Sequence, residues 1–107
     1  MHLGIVLNTA EPETVWNAFR LGITALEEGH DVTTFLLGDG VEAPDVESEK
    51  YNAHGVLRKY ENEGGTLLAC GTCLDSRDLE SDDLRPRASM ADLLSLSETA
   101  DRVLTFG

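Results

Sequence analysis

Hydrophobic positions along the chain follow two alternating rhythms. Leu3-Gly4-Ile5-Val6-Leu7 is an unbroken apolar run closed by Asn8 and Thr9, the pattern of a strand buried on both faces. Pro12 then stands where the first turn of a helix tolerates proline. Val15, Ala18, Phe19, Gly22, Ile23 and Leu26 recur at spacings of three and four, which predicts an amphipathic helix with Gly29 as its stop. Val32-Thr33-Thr34-Phe35-Leu36-Leu37 is β-branched and aromatic and predicts a second strand, ended by Gly38-Asp39-Gly40. The acidic stretch from Val41 to Glu49, with Pro44, reads as a loop. Ala53, Val56, Leu57 and Tyr60 mark a second helix closed by Gly64-Gly65, and Thr66-Leu67-Leu68-Ala69 a third strand running into Cys70.

The rest of the chain repeats the alternation less clearly. Leu74 to Pro86 is polar and irregular, and Leu84 to Ala88 has room for a short strand that Pro86 weakens. Ser89 with Asp92 forms a capping-box pattern that opens a third long helix, with Leu93 and Leu94 as its buried face. Asp101-Arg102-Val103-Leu104-Thr105-Phe106 predicts a last strand. Strands and helices alternating from end to end mean an α/β sandwich with a mainly parallel sheet and right-handed crossovers. The 107 residues are expected to form a single domain, residues 1–107.

Charge narrows the partners. Twenty Asp and Glu stand against eight Lys and Arg, a formal net charge of -12, and only Lys50 and Lys59 are lysines. Nucleic acid and anionic membranes both call for a basic surface, so neither is expected as a partner. Acids dispersed along the chain with scarce lysine suggest a halophilic protein, kept compact where salt screens self-repulsion. The N-terminus lacks the basic and apolar regions of a signal peptide, and a cytoplasmic location is expected. In that compartment a close cysteine pair is read as chemistry rather than as a structural disulfide.

Ligands of parallel sheets collect beyond the carboxyl ends of the strands. Here those ends carry Asn8-Thr9, Gly38-Asp39-Gly40 and Cys70-Gly71-Thr72-Cys73. Cys70 is placed as a nucleophilic or sulfur-carrying thiol, with Cys73 as a resolving or modulating partner. A helix beginning near Cys73, together with Arg77 and Arg87, is expected to lower the pKa of Cys70 and make it the more reactive of the two. A zinc site would need two more ligands, and His2, His30 and His54 show no paired spacing, so no metal is expected. A dithiol redox switch and a pair of buried small hydrophobes stand as alternatives. His30 in Gly-His-Asp reads as a turn residue at the edge away from the cysteines, whereas His54 is open to either edge. Asp39 and Asp75 could orient a base or bind a cation, although Asp beside Gly is commonly a turn residue. No Gly-x-Gly-x-x-Gly, no Gly-Lys-Ser/Thr and no nucleophile-elbow sequence occurs, so nucleotide binding through those motifs and hydrolysis through a Ser-His-Asp triad are not expected.

The chain resembles the DsrE/DsrF-like family, and within it the small YchN-type members. The likeness runs nearly from end to end: the opening strand ending in Asn8, Phe19-Arg20-Leu21, Phe35-Leu36 with Gly38-Asp39-Gly40-Val41, Tyr51-Asn52, and the tail Ala100 to Phe106. Its most specific part is Leu68-Ala69-Cys70-Gly71-Thr72-Cys73-Leu74-Asp75-Ser76-Arg77. The family pattern has Gly after that Arg, where this chain has Asp78. The resemblance implies a three-layer α/β/α sandwich with a five-stranded parallel sheet, and assembly into homotrimers or homohexamers. It also implies sulfur relay: sulfane sulfur held as a persulfide on the cysteine after the third strand, here Cys70, and exchanged with donor and acceptor proteins without any cofactor. Asn8, Asp39, Thr72, Asp75 and Arg77 are the residues expected to line that site. The alternatives are a non-catalytic oligomeric binding module and a CxxC dithiol switch.

Overall fold

The computed structural model describes residues 1–107. Five strands form one sheet: β1 (His2–Leu7), β2 (Asp31–Leu36), β3 (Thr66–Cys70), β4 (Arg87–Ala88) and β5 (Arg102–Phe106). Their order across the sheet is β4-β3-β2-β1-β5, and every pair is parallel. The connecting helices are α1 (Pro12–Glu27), α2 (Ala53–Asn62), the single turn α3 (Gly71–Asp75) and α4 (Met90–Thr99). No helix is long and apolar enough to cross a membrane.

The faces follow from the pleat, since neighbouring residues of a strand point to opposite sides. On β1, Ile5 lies against Gly22 of α1, while Gly4 lies against Leu96 of α4. Helices α1 and α4 therefore cover opposite faces, and the sheet is the middle layer of three. The chain walks outward from β1 to β3 with α1 and α2 on one face. It returns to β5 on the far side of β1 with α4 on the other, as right-handed crossovers require when the direction reverses.

Tyr60 organises the face under α1 and α2. Its ring is fully buried, edge-on to Phe19 at 5.2 Å. Its hydroxyl donates to the Thr66 carbonyl at 2.8 Å and accepts from the Thr34 hydroxyl at 3.0 Å. A phenol so deep needs both partners. Gly22 leaves room for the ring, because a Cβ there would stand 2.8 Å from it. Twenty-three buried residues form a single apolar cluster around this arrangement.

Several sequence expectations change. The stretch after β2 is no open loop: Gly38–Asp45 winds as 3-10 turns, with Val41, Ala43 and Pro44 buried. Arg85, only 7% exposed, ties that segment to the later loop through the Val41 carbonyl and the carboxylates of Asp45 and Asp82. Acidic composition and a proline concealed a segment that packs. The short strand after Pro86 does form, as β4 at the sheet edge, where a proline costs no ladder bond. The capping box of Ser89 and Asp92 forms on α4. Its buried residue, however, is Leu96, with Leu93 partly covered and Leu94 facing out, because Leu93 and Leu96 are three apart and Leu94 is turned off that stripe.

Candidate functional site

Strand β3 ends at Cys70, and α3 starts on the next residue. The turn begins at Gly71, not near Cys73. Cys70 is its N-cap, and its sulfur accepts the Cys73 N–H at 3.4 Å. Gly71 keeps the first turn slim: a Cβ there would meet the Arg87 guanidinium at 2.8 Å. Thr72 is exposed, and its carbonyl accepts the Ser76 hydroxyl at 2.7 Å.

The two sulfurs have different surroundings. Cys70 is 2% exposed and belongs to the apolar cluster. Burial, with the Cys73 thiol hydrogen-bonded beside it, pushes the Cys70 thiol above its ordinary pKa. The direction is opposite to the lowered pKa expected for Cys70: the cysteine that leaves a strand inward is desolvated before any neighbouring charge can help it. Cys73 is partly exposed, and its sulfur accepts the Gly38 N–H at 3.2 Å. Both cysteines are free thiols.

Two arginine–carboxylate pairs flank them. Arg87 grips Asp75 through two bonds of 2.9 and 2.8 Å on the Cys70 side, and the pair holds the Asp75 carboxyl below its usual range. Arg77 stands on the Cys73 side. It donates to the Cys73 carbonyl at 3.1 Å and to Asp39 at 2.7 Å, with Glu42 at 3.8 Å. The expected proximity of Arg77 to Cys70 is thus a proximity to Cys73. Asp39 and Asp75 serve as anchors for the arginines, not as orienters of a base. Asn8, exposed at the end of β1, sets its side-chain oxygen against Gly38, the residue whose amide holds Cys73.

The C-terminal edge therefore gathers Cys70, Cys73, Thr72, Asp75 and Arg77 from one stretch of chain, and Asp39 and Asn8 from two others. His54 is not among them. Its Nδ1 is 2.9 Å from the Pro44 carbonyl, in a recess lined by Pro44, Asp45, Val46 and Glu47. His30 lies at the opposite edge beside the N-terminal amine, as its turn reading expected. No three His, Cys, Asp or Glu side chains come together in a way that could hold a metal ion. The Gly38 amide is the contact that sequence reasoning missed. A backbone donor reaching a cysteine 35 residues away leaves no mark beyond a glycine at a strand end. Asp78 takes φ +52°, the left-handed conformation that a glycine adopts freely and an Asp tolerates better than most residues.

The comparisons with known proteins agree with this architecture. A solved protein of unknown function from Bacteroides thetaiotaomicron superposes with a TM-score of 0.72 over 97% of this chain and 93% of its own, at 15% identity, which speaks for the fold alone. An uncharacterized protein of Methanocaldococcus jannaschii is 35% identical over 100 residues, covering 88% of both chains. Another from Methanopyrus kandleri is 33% identical over 103 residues, covering 88% of this chain and 83% of its own. Protein YchN of Escherichia coli is 29% identical over 102 residues, covering 88% of this chain and 87% of its own. The model of the DsrE/DsrF-like family matches residues 1–106, and this chain belongs to that family.

Proposed function

We propose that the chain is a sulfur-relay protein that holds sulfane sulfur as a cysteine persulfide in the Cys70–Cys73 motif and passes it on. The observation that carries this reading is the pair itself: two free thiols within hydrogen-bond reach at the carboxyl edge of a parallel sheet, one buried and one on a partly exposed residue. Persulfide exchange asks for little else. It needs an accessible sulfur, a backbone donor to fix it and a surface that admits a partner's thiol, without a metal or organic cofactor. The resemblance implies Cys70 as the carrier, and membership of the family is consistent with sulfur handling. Treatment of the reduced protein with inorganic polysulfide should transfer sulfane sulfur to the chain, seen as a mass shift that reductant reverses or as sulfide released from the loaded protein. The Cys70→Ser/Cys73→Ser double variant should not load. A wild-type protein that takes up no sulfur, while both thiols remain free, would remove this reading.

Self-association belongs to the same proposal. The edge strand β5 is solvent-exposed over Arg102–Thr105, although a strand of a parallel sheet is ordinarily covered on both faces. Val103 and Leu104 are 38% and 42% exposed, and Met90 and Leu94 of α4 57% and 62%. A second copy of the chain is the proposed cover, in a trimer or hexamer. A CxxC dithiol switch is the competing reading that the same sulfur geometry favours. It differs in that no variant with a single cysteine would carry added sulfur.

A further inference from the structure

The two thiols are unequal in access and in contacts. A reagent approaching from solvent meets Cys73 before Cys70, because Cys73 is the partly exposed residue of the pair; its sulfur accepts the Gly38 N–H at 3.2 Å. Arg77 stands beside it, bonded to the Cys73 carbonyl and steadied by Asp39. Cys70 lies behind, sealed in the core, with its sulfur turned to the Cys73 amide. We infer that Cys73 takes up the sulfane sulfur and that Cys70 is the buried resolving thiol that discharges it as sulfide. This rests on the sulfur-handling reading, and it reverses the division of labour that the resemblance implies.

The chemistry balances in two steps. The Cys73 thiolate attacks the outer sulfur of a donor persulfide, RS–SH. The S–S bond of the donor breaks, RS⁻ leaves, and Cys73–S–SH forms. Cys70 then attacks the inner sulfur of Cys73, its proton passing to the departing sulfur. A Cys70–Cys73 disulfide forms and hydrogen sulfide leaves. The sulfane sulfur is reduced by two electrons, and the two cysteine sulfurs are oxidised to the disulfide. A small dithiol reductant returns the pair to thiols. A disulfide needs its Cβ atoms about 3.5–4.5 Å apart. Closure asks for movement of α3, which has only five residues and one turn, relative to its N-cap Cys70.

Burial also explains why the order is not the reverse. A desolvated thiol stays protonated and is a poor first nucleophile. It becomes effective once a persulfide is fixed next to it, because the attack is then intramolecular.

The test uses the full chain, inorganic polysulfide as donor and intact mass with sulfide release as readouts. Brief alkylation of the native wild type should label Cys73 first, by about tenfold or more over Cys70. Wild type should release sulfide and acquire the internal disulfide. Cys70→Ser should load one sulfur at Cys73 and retain it, with sulfide release slowed about tenfold or more. Cys73→Ser should barely load. Cys70→Ala repeats the first variant without placing a hydroxyl in the core, so a misfolded Cys70→Ser does not decide the matter. If Cys73→Ser loads like the wild type while the Cys70 variants do not, the inference is overturned and sulfur relay stands. The same holds if Cys70→Ala releases sulfide at the wild-type rate. If the wild type itself takes up no sulfur, the proposed function falls and this inference falls with it.

Discussion

The two flanks of the sheet are finished to different degrees. On the α1–α2 flank, Phe19, Tyr60, Ile5 and Leu57 are buried by the chain itself, and the one phenol in their midst has its hydroxyl satisfied. On the α4–β5 flank, one helix covers Gly4 through Leu96 and Ala100, while Met90, Leu94, Val103 and Leu104 face water. Leu104 pairs with Ile5 in register and so points to the α1 side, beyond the reach of that helix. Val103 pairs with Gly4 and points to the α4 side. Both faces of the edge strand are open. Apart from Leu21, which is exposed on α1, the large apolar residues of the two flanks thus fall into two groups with opposite consequences. Those of the first flank hold the monomer together, and those of the second are available to a second copy.

The large aromatics belong to the first group. Phe19 and Tyr60 are fully buried within one chain, and Trp16 is partly covered, stacked near Tyr51 at 5.2 Å and under the Arg20 guanidinium at 4.1 Å.

The contrast is broken most severely at Tyr60. Tyr60→Ala should cost about 3–5 kcal/mol, as deletion of a buried ring does, and thermal denaturation should show a melting point lower by more than about 10 °C. Tyr60→Phe isolates the hydroxyl: leaving the Thr34 hydroxyl and the Thr66 carbonyl without it should cost about 1–3 kcal/mol.

Two leucines of α4 give the sharpest internal comparison. Leu96→Ala should cost about 2–5 kcal/mol in urea unfolding, whereas Leu94→Ala should stay within about 0.5 kcal/mol for the isolated chain. Equal losses would mean that the two flanks are finished alike. Leu104→Asp tests the open flank from the strand. Sedimentation at micromolar concentration should find the wild type associated and the variant shifted to monomer, with association weakened at least about tenfold. A wild type that sediments as a clean monomer in high salt would end the self-association proposal.

Smaller effects come from pH and salt. Cys70 and Tyr60 both have raised pKa values, each first through burial. In the window between the unfolded and folded values the unfolded chain holds fewer protons, so stability falls as pH rises. The loss should begin as pH enters the ordinary thiol range, and Cys70→Ala should blunt its first part. Asp75 and Asp83, lowered by Arg87 and Arg58, act on the other side: stability should fall as acid protonates them. Finally, a net charge of -12 should make the melting point climb by a few degrees with KCl into the molar range. A flat response would remove the halophilic reading and leave the fold untouched.

Periodicity alone determined most of the scaffold. The runs at Leu3–Leu7 and Thr66–Ala69, the stripes at Val15–Leu26 and Ala53–Tyr60, and the Ser89–Asp92 box are local patterns, and local patterns are written in neighbouring residues. They also brought Cys70 and Cys73 to a strand's carboxyl end, and the resemblance named the family. What the tertiary structure decided was everything that depends on distant chain. Whether a cysteine at a strand end faces water or core is set by packing against Leu74 and its neighbours, so the roles of the two thiols could not be read from their order. The Gly38 amide reaches Cys73, and Asp39 reaches Arg77, only because β2 and β3 lie side by side in register. The packed 3-10 segment looked like a loop because its buried contacts, including Arg85, come from 40 residues further on. The apolar stripe of α4 was misphased for the same reason: four leucine and methionine positions offer two faces, and only the sheet beneath chooses between them.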